Sequence, residues 1–251
     1  MAPTNGQTPH PVDSRLFTVV VTSCGRFDLL ARMIASFERH FPTTRIVVAE
    51  DSTDHEGARA FAADQAKVEM RINDPKLGQM RSIDRLYSTV STPYVVHLED
   101  DWEFTRSVEL ERIVSMLDSR PDVSVALLAH REYAPRFENG ARLMEVDGLK
   151  YKCFEHDTHP LWFSYSFNPS IARLDLWRRL GGFAQYETEE KLSGFLKKQG
   201  VQIALLWPPV GRHIGDDRHV PDPFQPQRPR NVFQRLARSV EKRLARLFAK
   251  N

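Results

Sequence analysis

The sequence predicts an α/β fold, a mostly parallel sheet flanked by helices. Three observations predict it. Short β-branched apolar runs alternate with segments whose apolar residues recur every three to four positions, the pattern of strands alternating with helices. Three of those runs end in polar clusters, at Ser23, at Asp51 and at Glu99-Asp100-Asp101, and the carboxyl ends of parallel strands are where such sheets collect ligands. The chain has 251 residues, 41% of them hydrophobic, which suffices for one large domain or two small ones with a sizeable core.

The elements follow in order. Leu16–Thr22 is a strand, Ser23-Cys24-Gly25-Arg26 a turn, and Phe27–Phe41 a helix with apolar residues at 29, 30, 33, 34 and 37, stopped by Pro42. Arg45–Ala49 is a second strand, followed by a helix over His55–Gln65 and a short strand over Val68–Ile72. Gly78 opens a helix reaching Val90. Tyr94–Leu98 is a strand, Val108–Asp118 a helix and Val123–Ala129 a strand. Arg131–Phe167 reads as less regular, with scattered aromatics. Asp175–Leu180 is helical and ends at Gly181-Gly182; Glu187–Lys198 is a helix with Gly200 beyond its end. Val201–Leu206 is a strand, and Pro208–Pro229 reads as loop.

Tyr94-Val-Val-His-Leu-Glu-Asp-Asp-Trp102 is the most telling stretch. A buried strand surfaces in three consecutive carboxylates, which repel one another unless something neutralises them. A divalent cation with oxygen ligands is the usual neutraliser. Glu99 and Asp101 share one side of an extended chain. A hard metal held there can bridge to a diphosphate, which suggests a nucleotide-activated substrate. The competing reading is a solvated acidic turn.

Composition narrows the classes. No run approaches the roughly 18 apolar residues of a membrane span. Residues 1–14 are Pro-rich and polar, without the layout of a secretory signal, and read as a disordered lead-in. Cys24 and Cys153 have no metal spacing and fit free thiols of a reducing cytoplasm, or one long-range disulfide. The net charge of +2 hides an asymmetry: residues 228–251 carry +7, leaving −5 for the rest. In that tail Val232, Phe233, Leu236, Val240, Leu244, Leu247 and Phe248 recur at helical spacing among the basic residues. A basic amphipathic helix over 225–251 suits an anionic membrane surface, or packs its stripe on the body or another subunit. The acidic body argues against nucleic acid as a partner.

Four segments together resemble glycosyltransferase family 2, whose members have the GT-A fold: Thr18-Val-Val-Val-Thr-Ser-Cys-Gly-Arg26, Val47-Val-Ala-Glu-Asp-Ser-Thr-Asp54, His97-Leu-Glu-Asp-Asp101, and Gly181-Gly-Phe183 with Glu187-Thr-Glu-Glu190. The resemblance runs from Phe17 to His219 and implies one GT-A domain over 15–224, a nucleotide-binding half over 15–130 and an acceptor-binding half over 131–224. It differs from the family pattern in Glu99, where the first acid of a DXD motif is Asp, and in Glu189-Glu190, where Glu-Asp is common.

The resemblance implies roles. Glu99 and Asp101 fall on the metal-binding motif for Mn²⁺ or Mg²⁺, with Asp100 toward the donor diphosphate. His213 is the expected further metal ligand, with His219 its competitor. Thr22, Ser23, Arg26 and Asp51 are expected to line the nucleotide pocket, Asp51 accepting from base or ribose, although Asp51-Ser52-Thr53-Asp54 also suits a helix N-cap. Arg81 is expected to face base or phosphate, or to be a surface arginine. Glu190 is the expected catalytic base, with Glu189 as alternate; a helix N-terminus enriched in acids is the bland account of both. Trp102 is the expected acceptor-stacking aromatic; Trp162, Phe163, Tyr165 and Phe167 read mainly as core.

These expectations combine into an inverting, metal-dependent transferase. It would move a sugar from a nucleotide-sugar donor, expected to be UDP-linked, to a hydroxyl of a glycan or lipid-linked acceptor in envelope or surface polysaccharide synthesis. Its expected place is the cytoplasm, peripheral on the inner face of the cell membrane. A nucleotidyltransferase is the first rival, but the turn Ser23–Arg26 lacks the Gly- and Lys-rich phosphate loop that chemistry uses. A non-catalytic sugar-nucleotide-binding protein of the same fold is the second.

Overall fold

Strands buried on both faces dominate the architecture, and they read as continuous apolar runs for that reason. The computed structural model describes residues 8–130, 141–215, 218 and 220. The leading half alternates as expected: β1 (Phe17–Ser23), α1 (Phe27–His40), β2 (Ile46–Glu50), α2 (His55–Ala63), β3 (Val68–Ile72), α3 (Gln79–Tyr87) and β4 (Tyr94–Glu99). A short β5 (Trp102–Phe104), α4 (Leu110–Ser119) and β6 (Val123–Leu127) follow. Then come β7 (Ala141–Val146), β8 (Leu149–Phe154), β9 (Ser170–Arg173), α5 (Leu174–Leu180), a 3-10 turn at Ala184–Tyr186, α6 (Glu189–Lys197), β10 (Gln202–Leu206) and β11 (Gly211–His213).

Nine strands form one sheet in the order β3-β2-β1-β4-β9-β6-β10-β8-β7. The four at the β3 end pair in parallel, and β9 runs antiparallel between β4 and β6. Period-two alternation splits β1 between two cores. Val19 and Val21 face α1 and α4, meeting Leu30, Met33, Phe37, Ile113 and Met116. Val20 faces the other layer, with Ile83 and Leu86 of α3, Leu174 of α5 and Leu192 and Leu196 of α6. The helical apolar positions predicted in α1 are all buried. Both cysteines are free, and among the described residues no helix is long and apolar enough to cross a membrane.

Two parts of the reading need correction. The stretch read as irregular contains a hairpin, β7–β8, at the sheet edge. Its turn is Asp147-Gly148, both with positive φ (50° and 76°), a two-residue turn whose twist suits a hairpin. Its edge strand is largely solvated, Leu143 being 56% exposed, so no apolar run marked it. The proline-rich loop contains β11, which pairs antiparallel with β5 and sets His213 opposite Trp102. Residues 1–7, 225–251 and His219 lie outside the described residues.

His97, in the centre of β4, is buried among Tyr87 and Phe167, and neither ring nitrogen has a hydrogen-bond partner among the described residues. Burial disfavours the imidazolium and pushes the ring pKa down to about 3. The unfolded chain binds this proton near pH 6.5 and the folded chain does not, so stability is full above 6.5 and falls as pH drops toward 3. The slope is about 1.4 kcal/mol per pH unit. Urea unfolding at pH 6.5 and 5.0 should show a His97→Leu variant losing about 2 kcal/mol less than the wild type over that interval. Equal losses would refute this account of His97.

Candidate active site

The carboxyl ends of β1, β2 and β4 lie side by side, and the acids there organise the loops around them. Glu50, fully buried, closes β2; its Oε1 accepts from the backbone N–H of Gly25 and of Ser52, both at 2.8 Å. It therefore ties the loop after β1 to the end of β2. Asp51 accepts from Asn73 Nδ2 (2.9 Å) and from the N–H groups of Leu77 (2.7 Å) and Gly78 (2.8 Å). Gly78 takes φ 78°, a conformation that favours glycine, as it delivers its N–H and opens α3. Asp51 thus ties the turn before α3 to the end of β2 through both its oxygens. The predicted N-cap is Asp54, whose side chain accepts from Gly57 N at 2.9 Å.

Beside this lies the acidic centre. Asp100 is buried and accepts from Arg26 Nε (3.2 Å), from Arg26 Nη2 and, weakly, from Cys24 N (3.4 Å). Burial pushes its pKa up to about 6 against the pull of Arg26. Asp101 Oδ2 meets two nitrogens, the guanidinium Nη1 of Arg26 at 3.0 Å and the imidazole Nε2 of His213 at 3.2 Å. The β5–β11 ladder carries His213 to that point, and Ile214 N bonds Asp101 O at 2.8 Å. A Cβ on Gly215 would come within 2.5 Å of Asp101 Cβ, so only glycine lets this strand close on the acid.

Glu99 differs. Its hydrogen-bond partners among the described residues are neutral, Trp102 Nε1 at 3.3 Å and Gln79 Nε2 at 3.1 Å. Burial first, then the charges of Asp101 and Glu189, raise its pKa well above the carboxylate range. Among the described residues no group of three or more His, Cys, Asp or Glu side chains is arranged to hold a metal ion; the pair that meets is Asp101 and His213, with half-buried Glu99 nearby.

The acceptor-side motif is brought to the same centre by α3. Asp84 accepts from Trp177 Nε1 (2.7 Å), Phe183 N (2.7 Å) and Ala184 N (2.8 Å), clamping the Gly181-Gly182-Phe183 turn that leads to α6. Thr188 caps α6, its side chain accepting from Lys191 N. Glu189, the first residue of α6, accepts from Phe167 N at 3.2 Å, and burial of its carboxyl pushes its pKa up to about 7. Its charge reaches Glu99, which ties the start of α6 to the acidic centre.

The other expected residues are placed as follows. Thr22 contributes its backbone carbonyl to Asp100 N (3.2 Å), and Ser23 buries a hydroxyl with no partner among the described residues. Arg81 is exposed on the first turn of α3, where Gln79 rather than Arg81 bonds Glu99. Trp102 is a correction: it is 1% exposed and edge-on to His213, so it supports the histidine and offers no face to an acceptor. Phe163, Tyr165 and Phe167 are core, as expected. Glu50, Gln79, Asp84 and Gly215 escaped the sequence reading.

This geometry meets independent comparisons. The profile of glycosyl transferase family 2 matches residues 18–180. The chain belongs to that family. Its fold is the GT-A fold. A 117-residue stretch is 32% identical to beta-1,4 N-acetylgalactosaminyltransferase 1 of Mus musculus, covering 43% of this chain and 19% of that protein. The Homo sapiens counterpart is 32% identical over 108 residues. The chain thus spans about a fifth of these relatives' length. Among solved structures it resembles the mannosyltransferase PcManGT of Pyrobaculum calidifontis in complex with GDP-Man and Mn²⁺ (TM-score 0.55, 17% identity, 85% of this chain and 61% of that one). It also resembles S. aureus TarS 1–349 in complex with UDP-GlcNAc (TM-score 0.52, 14% identity, 82% and 62%).

Because three donors converge on the Asp84 carboxylate, Asp84→Asn turns an amide against backbone N–H groups. Urea unfolding should show a loss of about 1–3 kcal/mol. A loss under about 0.5 kcal/mol, the range of an ordinary surface change, would mean that the clamp carries no weight.

Proposed function

We propose that this glycosyltransferase is inverting and metal-dependent and moves an N-acetylhexosamine from a UDP-sugar to a hydroxyl of a glycan or lipid-linked acceptor. The observation that carries the reading is the convergence of Asp101 and His213 beside a desolvated Glu99, with Glu189 at the same centre. The sugar class rests on the relative named as an N-acetylgalactosaminyltransferase and on TarS with UDP-GlcNAc.

Asp101 and His213 would hold Mn²⁺ or Mg²⁺, with Glu99 alongside. When bound, the cation neutralises charge on the departing diphosphate. The chain's own groups do the rest. Glu189 takes the proton from the acceptor hydroxyl as that oxygen attacks the anomeric carbon. The bond from that carbon to the diphosphate oxygen breaks, and UDP leaves from the opposite face. The transition state has oxocarbenium character, as in glycoside hydrolysis, and no covalent enzyme intermediate is needed. A carboxyl with pKa about 7 is well matched to a base working at neutral pH. Arg26 and the loop after β1 face the donor phosphates. The basic residues of 228–251 suit an anionic membrane at about 1 kcal/mol per residue near the surface. That charge supports a place at the inner face of a cell membrane and an envelope or surface glycan as acceptor.

Donor hydrolysis tests the reading without a known acceptor, since water can take the acceptor's place. With Mn²⁺, UDP-GlcNAc or UDP-GalNAc should release UDP, and the rate should rise as pH passes through about 7 and Glu189 loses its proton. Glu189→Gln should cut the rate by roughly 10²–10⁴ and remove that pH step. No UDP release, or an unaffected Glu189→Gln variant with Glu190→Gln inactive, would contradict the donor or the base assignment respectively.

A further inference from the structure

We propose that Arg26 is the cation a divalent metal displaces from Asp101, and that the donor diphosphate receives the guanidinium as it leaves. This rests on the metal-dependent reading above and concerns the order in which its parts assemble.

The argument begins with one oxygen. Asp101 Oδ2 is shared by Arg26 Nη1 at 3.0 Å and His213 Nε2 at 3.2 Å. A metal bound through that oxygen and the imidazole nitrogen would sit where the hydrogen bonds now converge. Arg26 competes for the same lone pairs and adds a like charge beside the incoming ion. The guanidinium is also poorly placed to move aside into water, its side chain being only 16% exposed.

Its anchoring is uneven, however. Nε and Nη2 grip Asp100 side-on, while Nη1 holds Asp101 and the carbonyl of Arg218 (3.1 Å). The Arg218 guanidinium is itself paired with Asp28 through two contacts, at 2.5 and 2.9 Å, which holds that segment in place. Only the Nη1 contact to Asp101 need break for the metal to enter; the pair with Asp100 can persist and keep the guanidinium at the centre. A freed Nη1–H needs an anionic acceptor, and a diphosphate supplies one in the geometry arginine recognises well. Metal and nucleoside diphosphate therefore load together. In the metal-free protein Arg26 keeps Asp100 and Asp101 from repelling each other.

The test is Mn²⁺ binding to the full chain, read from the electron paramagnetic resonance signal of free Mn²⁺, with and without UDP. If the arginine-clamped state dominates the free protein, Arg26→Gln should bind Mn²⁺ alone on the order of tenfold more tightly than wild type. Arg26→Lys, which keeps the charge, should stay near wild type. Asp101→Asn should abolish the binding in either background. Equal or weaker Mn²⁺ binding by Arg26→Gln, still lost with Asp101→Asn, would overturn the exchange and leave the metal site standing. No Mn²⁺ retained by any variant even with UDP would overturn the metal reading and the exchange with it. Should Arg26→Gln not fold, the arginine Nε–H resonance of Arg26 in wild type can be followed by NMR as Mg²⁺ and UDP are added. A shift on loading supports the exchange, and an unmoved resonance refutes it.

Discussion

The buried carboxylates at the carboxyl edge of the sheet must be satisfied, and the shape of the site follows from how they are. Glu50, Asp51 and Asp100 leave water and Glu189 partly does, and an unpaired buried charge costs several kcal/mol. Backbone N–H groups of the loops meet three of them, Gly25 and Ser52 for Glu50, Leu77 and Gly78 for Asp51, Phe167 for Glu189, while the Arg26 guanidinium meets Asp100. The loops are wrapped around their acids. Asp84, half-way along α3, does the same for the turn at Phe183. Because α3 starts at Gln79, which bonds Glu99, this one helix links the metal-binding candidates to the turn that delivers Glu189.

One acid stands outside this arrangement. Glu99 has neutral hydrogen-bond partners and three negative neighbours, Asp101, Glu189 and Asp100. The guanidinium of Arg26, paired with Asp100 and Asp101, is the fixed cation beside these acids. Under the proposed function, Glu99 is an acid whose charge a bound cation would stabilise, and Glu189 a base whose proton affinity burial raises. Both effects come from the same desolvated geometry.

The parts of the fold buried on both faces were legible in the chain. The expected spans of β1, β2, β3 and β4 differ from the observed ones by at most a residue at each end; for β1, β2 and β4 the cause is two-sided burial, which demands an apolar run, whereas β3 is a half-buried edge strand. The β7–β8 hairpin was not legible from apolar content, since one strand is an exposed edge; Asp147-Gly148 was the available signal. β11 is three residues long and depends on its partner β5, which no local pattern announces. At the site, Glu99 is the last residue of β4 and Asp100-Asp101 lie in the turn beyond it. What adjacency could not say is which way each side chain turns. Trp102 follows the acids in sequence, yet β5 turns its ring into the core; Asp51 follows β2, and its oxygens hold the N–H groups of Leu77 and Gly78.

The central claim is that Asp101 and His213 converge to hold a divalent cation against a donor diphosphate. Crystals of the full chain grown with UDP and MnCl₂ would test it most directly, through anomalous diffraction at the manganese edge. The account predicts one strong anomalous peak bonded to Asp101 Oδ2, His213 Nε2 and the diphosphate oxygens. A bound UDP with no peak at that point, or a peak ligated by other residues, would contradict it.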